Sequence, residues 1–183
     1  MGREKKLHDP QPRLGPHGRE HVSIAGNLLS GLLARTVKVQ KSTTPSTPRA
    51  PALPAPAAKA SQAVAVYTDD QGSVAALCVC DMSLASHAGA ALSLIPAGVA
   101  AEAARTGVMP ASIAENLYEV ANVAASLFNA DGGPHLKLRE VVTTAQALPA
   151  GLSEMAARAS ERIDLEVNIT GYGQGQMSVL LTA

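Results

Sequence analysis

Apolar positions recur along this chain with two different periods, and the change of period marks its elements. The longest periodic stretch is 110–129, PASIAENLYEVANVAASLFN. Ile113, Leu117, Val120, Ala124 and Leu127 recur at helical spacing; at about 100° per residue they fall within about 40° of Ile113. Glu115, Glu119, Asn122 and Ser126 fall on the far side, at about 180–240°. The pattern predicts a helix with one buried stripe and a narrow polar strip. Ser112 followed by Glu115 reads as a capping box, in which hydroxyl and carboxylate each satisfy an orphan backbone N–H. Pro110 bars a helix from running in from upstream.

The same reading orders the rest of the chain. Val22, Ala25, Leu28, Leu29, Leu32 and Leu33 predict an amphipathic helix over 20–35, weakened by Gly26 and Gly31. Residues 36–40 alternate as a short strand. The apolar runs 62–67 and 73–80, split by Thr68-Asp69-Asp70-Gln71-Gly72, predict a hairpin. Asp81 and Ser83 open a helix to Ile95. A second helical piece covers 97–105, with Gly107 as its stop. After the long helix, Asp131 to Pro134 reads as a turn, 136–144 as a strand and 151–160 as a short helix. Ile163, Leu165, Val167 and Ile169 alternate with Asp164, Glu166 and Asn168, the clearest strand in the chain. Residues 171–176 read as a turn and 177–182 as the closing strand.

Two stretches stand outside these patterns. Residues 1–19 are basic and carry Pro10, Pro12 and Pro16, and read as a disordered leader. Residues 42–61 carry Pro45, Pro48, Pro51, Pro54 and Pro56 among Ala, Ser and Thr, and read as a Pro-rich linker. One helix and one strand ahead of it cannot make a core alone. The linker is therefore an insertion within one domain, residues 20–183.

Composition narrows the function classes. Phe128 is the only Phe and there is no Trp, so the chain lacks an aromatic platform for stacking nucleic-acid bases. Net charge is zero, yet residues 1–60 balance to +7 and residues 61–183 to −7. The basic end suits a solvated tail, and no nucleic-acid or membrane partner is expected. Cys78 and Cys80 are the only cysteines. On a strand they point the same way, about 6.5–7 Å apart, too far for an unstrained bridge. Buried thiols suggest a reducing, cytoplasmic setting. The Met1 end has no apolar run and does not read as a signal peptide. The longest apolar stretch, 88–101, is broken by Pro96 and is too short to span a bilayer.

Most candidate chemistry falls away on inspection. Gly171, Gly173 and Gly175 lie between two strands, without the following helix that a phosphate loop needs. The five histidines show no metal-ligand spacing with the cysteines, so no metal or cofactor of the chain's own is expected. No serine sits in a nucleophile elbow. Glu119 and Asn122 remain, three residues apart on one helix face. Asn in a helix interior costs about 0.5 kcal/mol against Ala, so helix propensity did not place it there.

Three stretches carry a resemblance: HVSIAGNLLSGLLARTVKV, VAVYTDDQGSVAALCVCDMSLASHAGAAL and the ENLYEVANVAASLF helix with the strand after it. In this order they resemble the CheC/CheX/FliY family of chemotaxis phosphatases, over roughly residues 20–183. The family motif is Asp or Ser, three residues, Glu, two residues, Asn, with a Pro about two dozen residues later. Glu119 matches its Glu and Asn122 its Asn, the implied catalytic pair. Glu115 stands at the Asp/Ser position and is an accessory candidate. The nearest proline to the expected place is Pro149, and Ala124 and Ala125 stand where a Gly is common. The first helix has Asn27 but Ile24 where Glu would be needed, so one motif copy is present, as in CheX-like proteins. The resemblance implies an α+β fold, a mostly antiparallel sheet packed against two long helices. It implies hydrolysis of the aspartyl phosphate on a CheY-like response regulator that brings its own Mg²⁺, and a homodimer. A non-catalytic scaffold binding a regulator or a flagellar-switch component is the alternative. A general interaction domain working through the basic, Pro-rich front end is a third reading.

Overall fold

The computed structural model describes residues 18–42, 62–129, 135–144 and 150–182. Most of the leader, residues 43–61 of the linker and the turn at 131–134 lie outside the described residues. The elements are α1 (Gly18–Leu33), β1 (Val37–Lys41), β2 (Gln62–Thr68), β3 (Val74–Asp81), α2 (Met82–Leu92), α3 (Ala97–Thr106), α4 (Ala111–Ala124), β4 (Lys137–Thr144), α5 (Ala150–Ala157), β5 (Glu161–Ile169) and β6 (Gly173–Leu181). The strands form one six-stranded sheet in the order β1-β5-β6-β3-β2-β4, with every pairing antiparallel. This is the expected α+β architecture, with a wholly antiparallel sheet among the described strands.

The sheet has two unequal faces. Alternation in β5 sends Leu165, Val167 and Ile169 to the face that carries α1, α2 and α4. On the other face, Asp164 Oδ1 accepts from Arg162 Nε at 2.8 Å and from Ser178 Oγ at 2.6 Å. There α5 lays Leu152, Met155 and Ala156 over Val64, Val66, Leu77 and Leu180. The middle strands β2 and β3 are thus buried on both faces. That explains why VAVY and VAALCVC run apolar without alternating.

The helix layer is not two covering helices alone. Between the expected long helices α1 and α4 runs α2, buried at every residue from Met82 to Ala91 except Ser83. A helix with no wet side is a central helix. Asp81 caps it, accepting from Leu84 N–H at 2.7 Å, and its other oxygen accepts from Gln176 N–H on β6 at 2.9 Å. Small residues bring the neighbours close. A Cβ on Gly89 would run into the Ile113 carbonyl of α4 and lie 2.9 Å from Ile113 Cγ2. A Cβ on Gly175 would lie 2.7 Å from Leu84 Cβ.

Two local expectations are corrected. The capping box at Ser112 and Glu115 does not form: Pro110 is the N-cap, Ser112 is already the second helical residue, and no side chain caps the helix. The closing strand starts at Gly173, so Gly173 to Gln176 are strand and not turn. The helix stop at Gly107 is in place, with φ 71° and its N–H on Ala103 O at 2.9 Å.

The long helix also ends early, and for a tertiary reason. Its regular turns stop at Ala124, and 125–127 tighten to a 3₁₀ turn in which Ala125 N–H bonds to Asn122 O and Val123 O. Tyr67 of β2, fully buried, donates its hydroxyl to Ala121 O at 2.8 Å. Its ring packs on Phe128 with centroids 4.9 Å apart. The only Phe and a central tyrosine thus pin the end of α4 to the sheet.

Candidate functional site

The anchoring of α4 decides what its other face can do. Ile113, Leu117, Val120 and Ala121 are buried. Glu115, Glu119, Asn122 and Ser126 are exposed, as the helical spacing predicts. Ser126 Oγ turns back to Val123 O at 2.8 Å. The side chains of Glu115, Glu119 and Asn122 make no hydrogen bond or ion pair to another described residue. The structure therefore brings Glu119 and Asn122 together on an outward face, one turn apart. It leaves Glu115 one turn before Glu119 on the same strip. With its capping role gone, Glu115 is a third polar group on offer to a partner.

Two residues of this face escaped the sequence reading. Tyr118 is 40% exposed and Val123 is 36% exposed, and they flank Glu119 and Asn122. The helical wheel contained the signal, since Tyr118 lies at about 140° from the buried stripe. Beside α4, α1 exposes Ser23, Ile24 and Asn27. Ile24 is 44% exposed. The combined surface is a carboxamide and two carboxylates set among exposed apolar side chains. It can orient a water molecule, receive a cation and exclude solvent against a partner.

A second set of polar groups lies inside. His87 on α2 is 7% exposed and its Nδ1 has no hydrogen-bond partner. Its ring lies under Gly173, which has φ 145° and whose Cβ would fall 2.7 Å from His87 Cε1. Burial lowers the His87 pKa, and nearby Asp81 opposes that shift. Burial raises the Asp81 pKa, against the pull of its two backbone N–H bonds and of His87. These groups tie α2 to β6 and have no role on the α4 face.

The signs give a stability prediction. Below about pH 6.5 an unfolded histidine is protonated, while folded His87 still resists its proton. The unfolded state then binds more protons, so stability falls as pH drops from about 6.5 to the folded value. Asp81 has the opposite sign at lower pH, because its folded carboxyl keeps a proton that the unfolded chain has released. Urea midpoints at pH 7.5 and 5.5 should differ, with the lower at 5.5. His87→Phe should flatten that difference, and an unchanged slope in the variant would remove His87 as its cause.

Among the described residues, no group of three or more His, Cys, Asp or Glu could hold a metal ion. Cys78 and Cys80 are free thiols. No described helix is long and apolar enough to cross a membrane.

No family model and no curated protein matches the sequence. Solved structures do. A chain of the FliM–SpeE complex from H. pylori matches at 10% identity, over 93% of this chain and 90% of that one, with a TM-score of 0.57. A chain of the CheX–CheY–BeF₃–Mg²⁺ complex from Borrelia burgdorferi matches at 13% identity, over 91% and 99%, with a TM-score of 0.51. The FliM middle domain from H. pylori matches at 12% identity, over 89% and 86%, with a TM-score of 0.52. At these identities the likeness establishes the fold, which spans almost the whole of each chain.

Proposed function

We propose that the chain is a phosphatase for the aspartyl phosphate of a CheY-like response regulator, acting through the outward face of α4 in a cytoplasmic signalling system. The observation that carries this reading is the pair Glu119 and Asn122. They sit one turn apart on a helix pinned from behind, their side chains exposed and without hydrogen-bond or ion-pair partners among the described residues. The FliM-like and CheX-like fold and the motif spacing support it.

The chemistry asks little of the chain. An acyl phosphate is already reactive, and hydrolysis needs a water in line with the phosphorus. The Asn122 carboxamide can donate and accept, so it can hold that water in attack position. The water oxygen bonds to phosphorus, the bond to the regulator's aspartate breaks, and carboxylate and inorganic phosphate leave. Glu119 pairs with a lysine of the regulator and sets the helix across its active site. The Mg²⁺ that neutralises the phosphoryl oxygens belongs to the regulator. Tyr118, Val123 and Ile24 would exclude solvent around the junction.

A homodimer is part of the proposal. β1 and β4 are the edges of the sheet, and strand addition to an edge is a ready route to pairing. Both edges carry charge, Lys38 and Lys41 on β1 and Lys137, Arg139 and Glu140 on β4, and the eight-residue β4 edge is the longer candidate for pairing.

The decay of phosphate on a set of CheY-like regulators, with and without the protein, tests the reading. At least one should lose its phosphate faster. The second reading, a non-catalytic scaffold, is favoured by the FliM-like neighbours and by Ile24 in place of a second Glu. It predicts tight binding to a phosphorylated or beryllofluoride-treated regulator with an unchanged decay rate.

A further inference from the structure

The helix-bearing side of the sheet does not close completely under α4. A cavity of about 50 Å³ lies between the sheet and α1, α2 and α4. Its wall includes Leu29, Ala85, Leu117, Ala121, Cys78 and Cys80. The wall is carbon and sulfur almost throughout. The one hydroxyl in it, on Tyr67, is already spent on Ala121 O. The cause is compositional. With one Phe and no Trp in the chain, alanines face one another across the layer, and small side chains leave volume between backbones that the ladders and helices hold apart.

We propose that this cavity is a binding site for a small apolar molecule. The argument is independent of the reading of the α4 face. A water needs two to four polar partners to settle in a cavity, and this wall offers none. An apolar occupant instead restores dispersion contacts that the wall atoms lack on one side. Water takes up about 30 Å³ in the liquid, so the cavity suits roughly two heavy atoms, as in a two-carbon hydrocarbon, or a single xenon atom. The sulfur atoms of Cys78, Cys80 and Met177 are polarisable and favour a polarisable guest. The guest would touch Leu117, Val120 and Ala121, the buried face of the helix that carries Glu119 and Asn122.

Xenon is the probe. Full-length protein at a xenon concentration of about ten times the measured dissociation constant should gain about 3–6 °C in Tm. The methyl signals of Leu29, Leu117 and Val120 should shift, while those of Leu152 on α5, at the opposite face of the sheet, stay in place. Ala121→Val and Cys80→Leu fill the cavity from opposite walls, so if one fails to fold the other serves. A folded filled variant should lose most of the Tm gain and of the methyl shifts. No response in the wild type, or an equal response in a filled variant, overturns the site. So does a water cross-peak to the Leu117 methyls, because the cavity would then be wet.

Discussion

On the proposed phosphatase reading, Asn122→Ala should leave a folded protein that no longer speeds phosphate loss from a regulator, with the stimulated rate down at least about 100-fold. Two independent arguments set this outcome. The carboxamide is exposed and has no partner among the described residues, so its removal takes nothing from the core. Alanine is the better helix former by about 0.5 kcal/mol, so Tm should rise slightly. The rate is another matter. Holding a water in line is a positioning effect, and losing one positioning group in a reaction of this kind costs about 10²–10³ in rate. A variant that is at once inactive and slightly more stable separates chemistry from folding. Regulator phosphate decay and a thermal melt on the same sample check it. A folded variant as active as the wild type would sink the mechanism.

Gly89→Ala should destabilise the whole domain by about 3 kcal/mol, the upper end for overpacking, or about 6–12 °C in Tm. The new Cβ meets the Ile113 carbonyl, which is backbone and cannot rotate away, and Ile113 Cγ2 at 2.9 Å. Ile113 is fully buried and anchors the first turn of α4. Relief therefore requires the central helix and α4 to part. The control is Gly31→Ala on α1. A Cβ there meets nothing within 4 Å, so it should stabilise by about 0.5–1 kcal/mol through helix propensity. Chemical denaturation of the two variants reads opposite signs from one substitution type. A Gly89→Ala midpoint equal to wild type would show that the α2–α4 contact yields without cost.

The elements were legible wherever a periodic pattern coincided with a local signal. β5 alternates cleanly because α5 leaves its outer face polar. Gly107 stops α3 because the backbone there needs a left-handed residue. The β2–β3 hairpin shows in the Asp69 to Gly72 cluster, where Asp69 Oδ1 accepts from the N–H groups of Gln71 and Ser73, both at 2.9 Å. Failures came where tertiary contacts outweighed local ones. Gly173-Gln174-Gly175-Gln176 has no strand pattern, yet it pairs with β5. Its glycines are set by the His87 ring and the first turn of α2, which no window of sequence contains. The capping box failed because Pro110 fixes the helix start two residues too early for Ser112 to serve as cap. The end of α4 is set by Tyr67, more than fifty residues upstream. The strand order, and with it the burial of α2 on all sides, has no local signature at all.

The candidate site divides along the same line. That Glu119 and Asn122 share an exposed face was readable from spacing, and the structure places them so. Tyr118 and Val123 were missed because an apolar residue on a helix suggests core, and only the layer beneath decides which apolar residues stay outside. What the pair would do came from resemblance to a family and not from periodicity. A helix face with two carboxylates and a carboxamide is chemically mute until a partner stands opposite it.

The place of β1 in the sheet has a consequence for synthesis. β1 leaves the ribosome early, but its partner is β5; the Gln40–Glu166 bond spans 126 residues. At about 5–20 residues per second, the strand waits roughly 6–25 s for its partner to be made. During that interval a Val-Lys-Val edge is open to any other nascent chain. Lys38 and Lys41 are the residues that blunt such an edge. Their charge guards the strand before its partner exists.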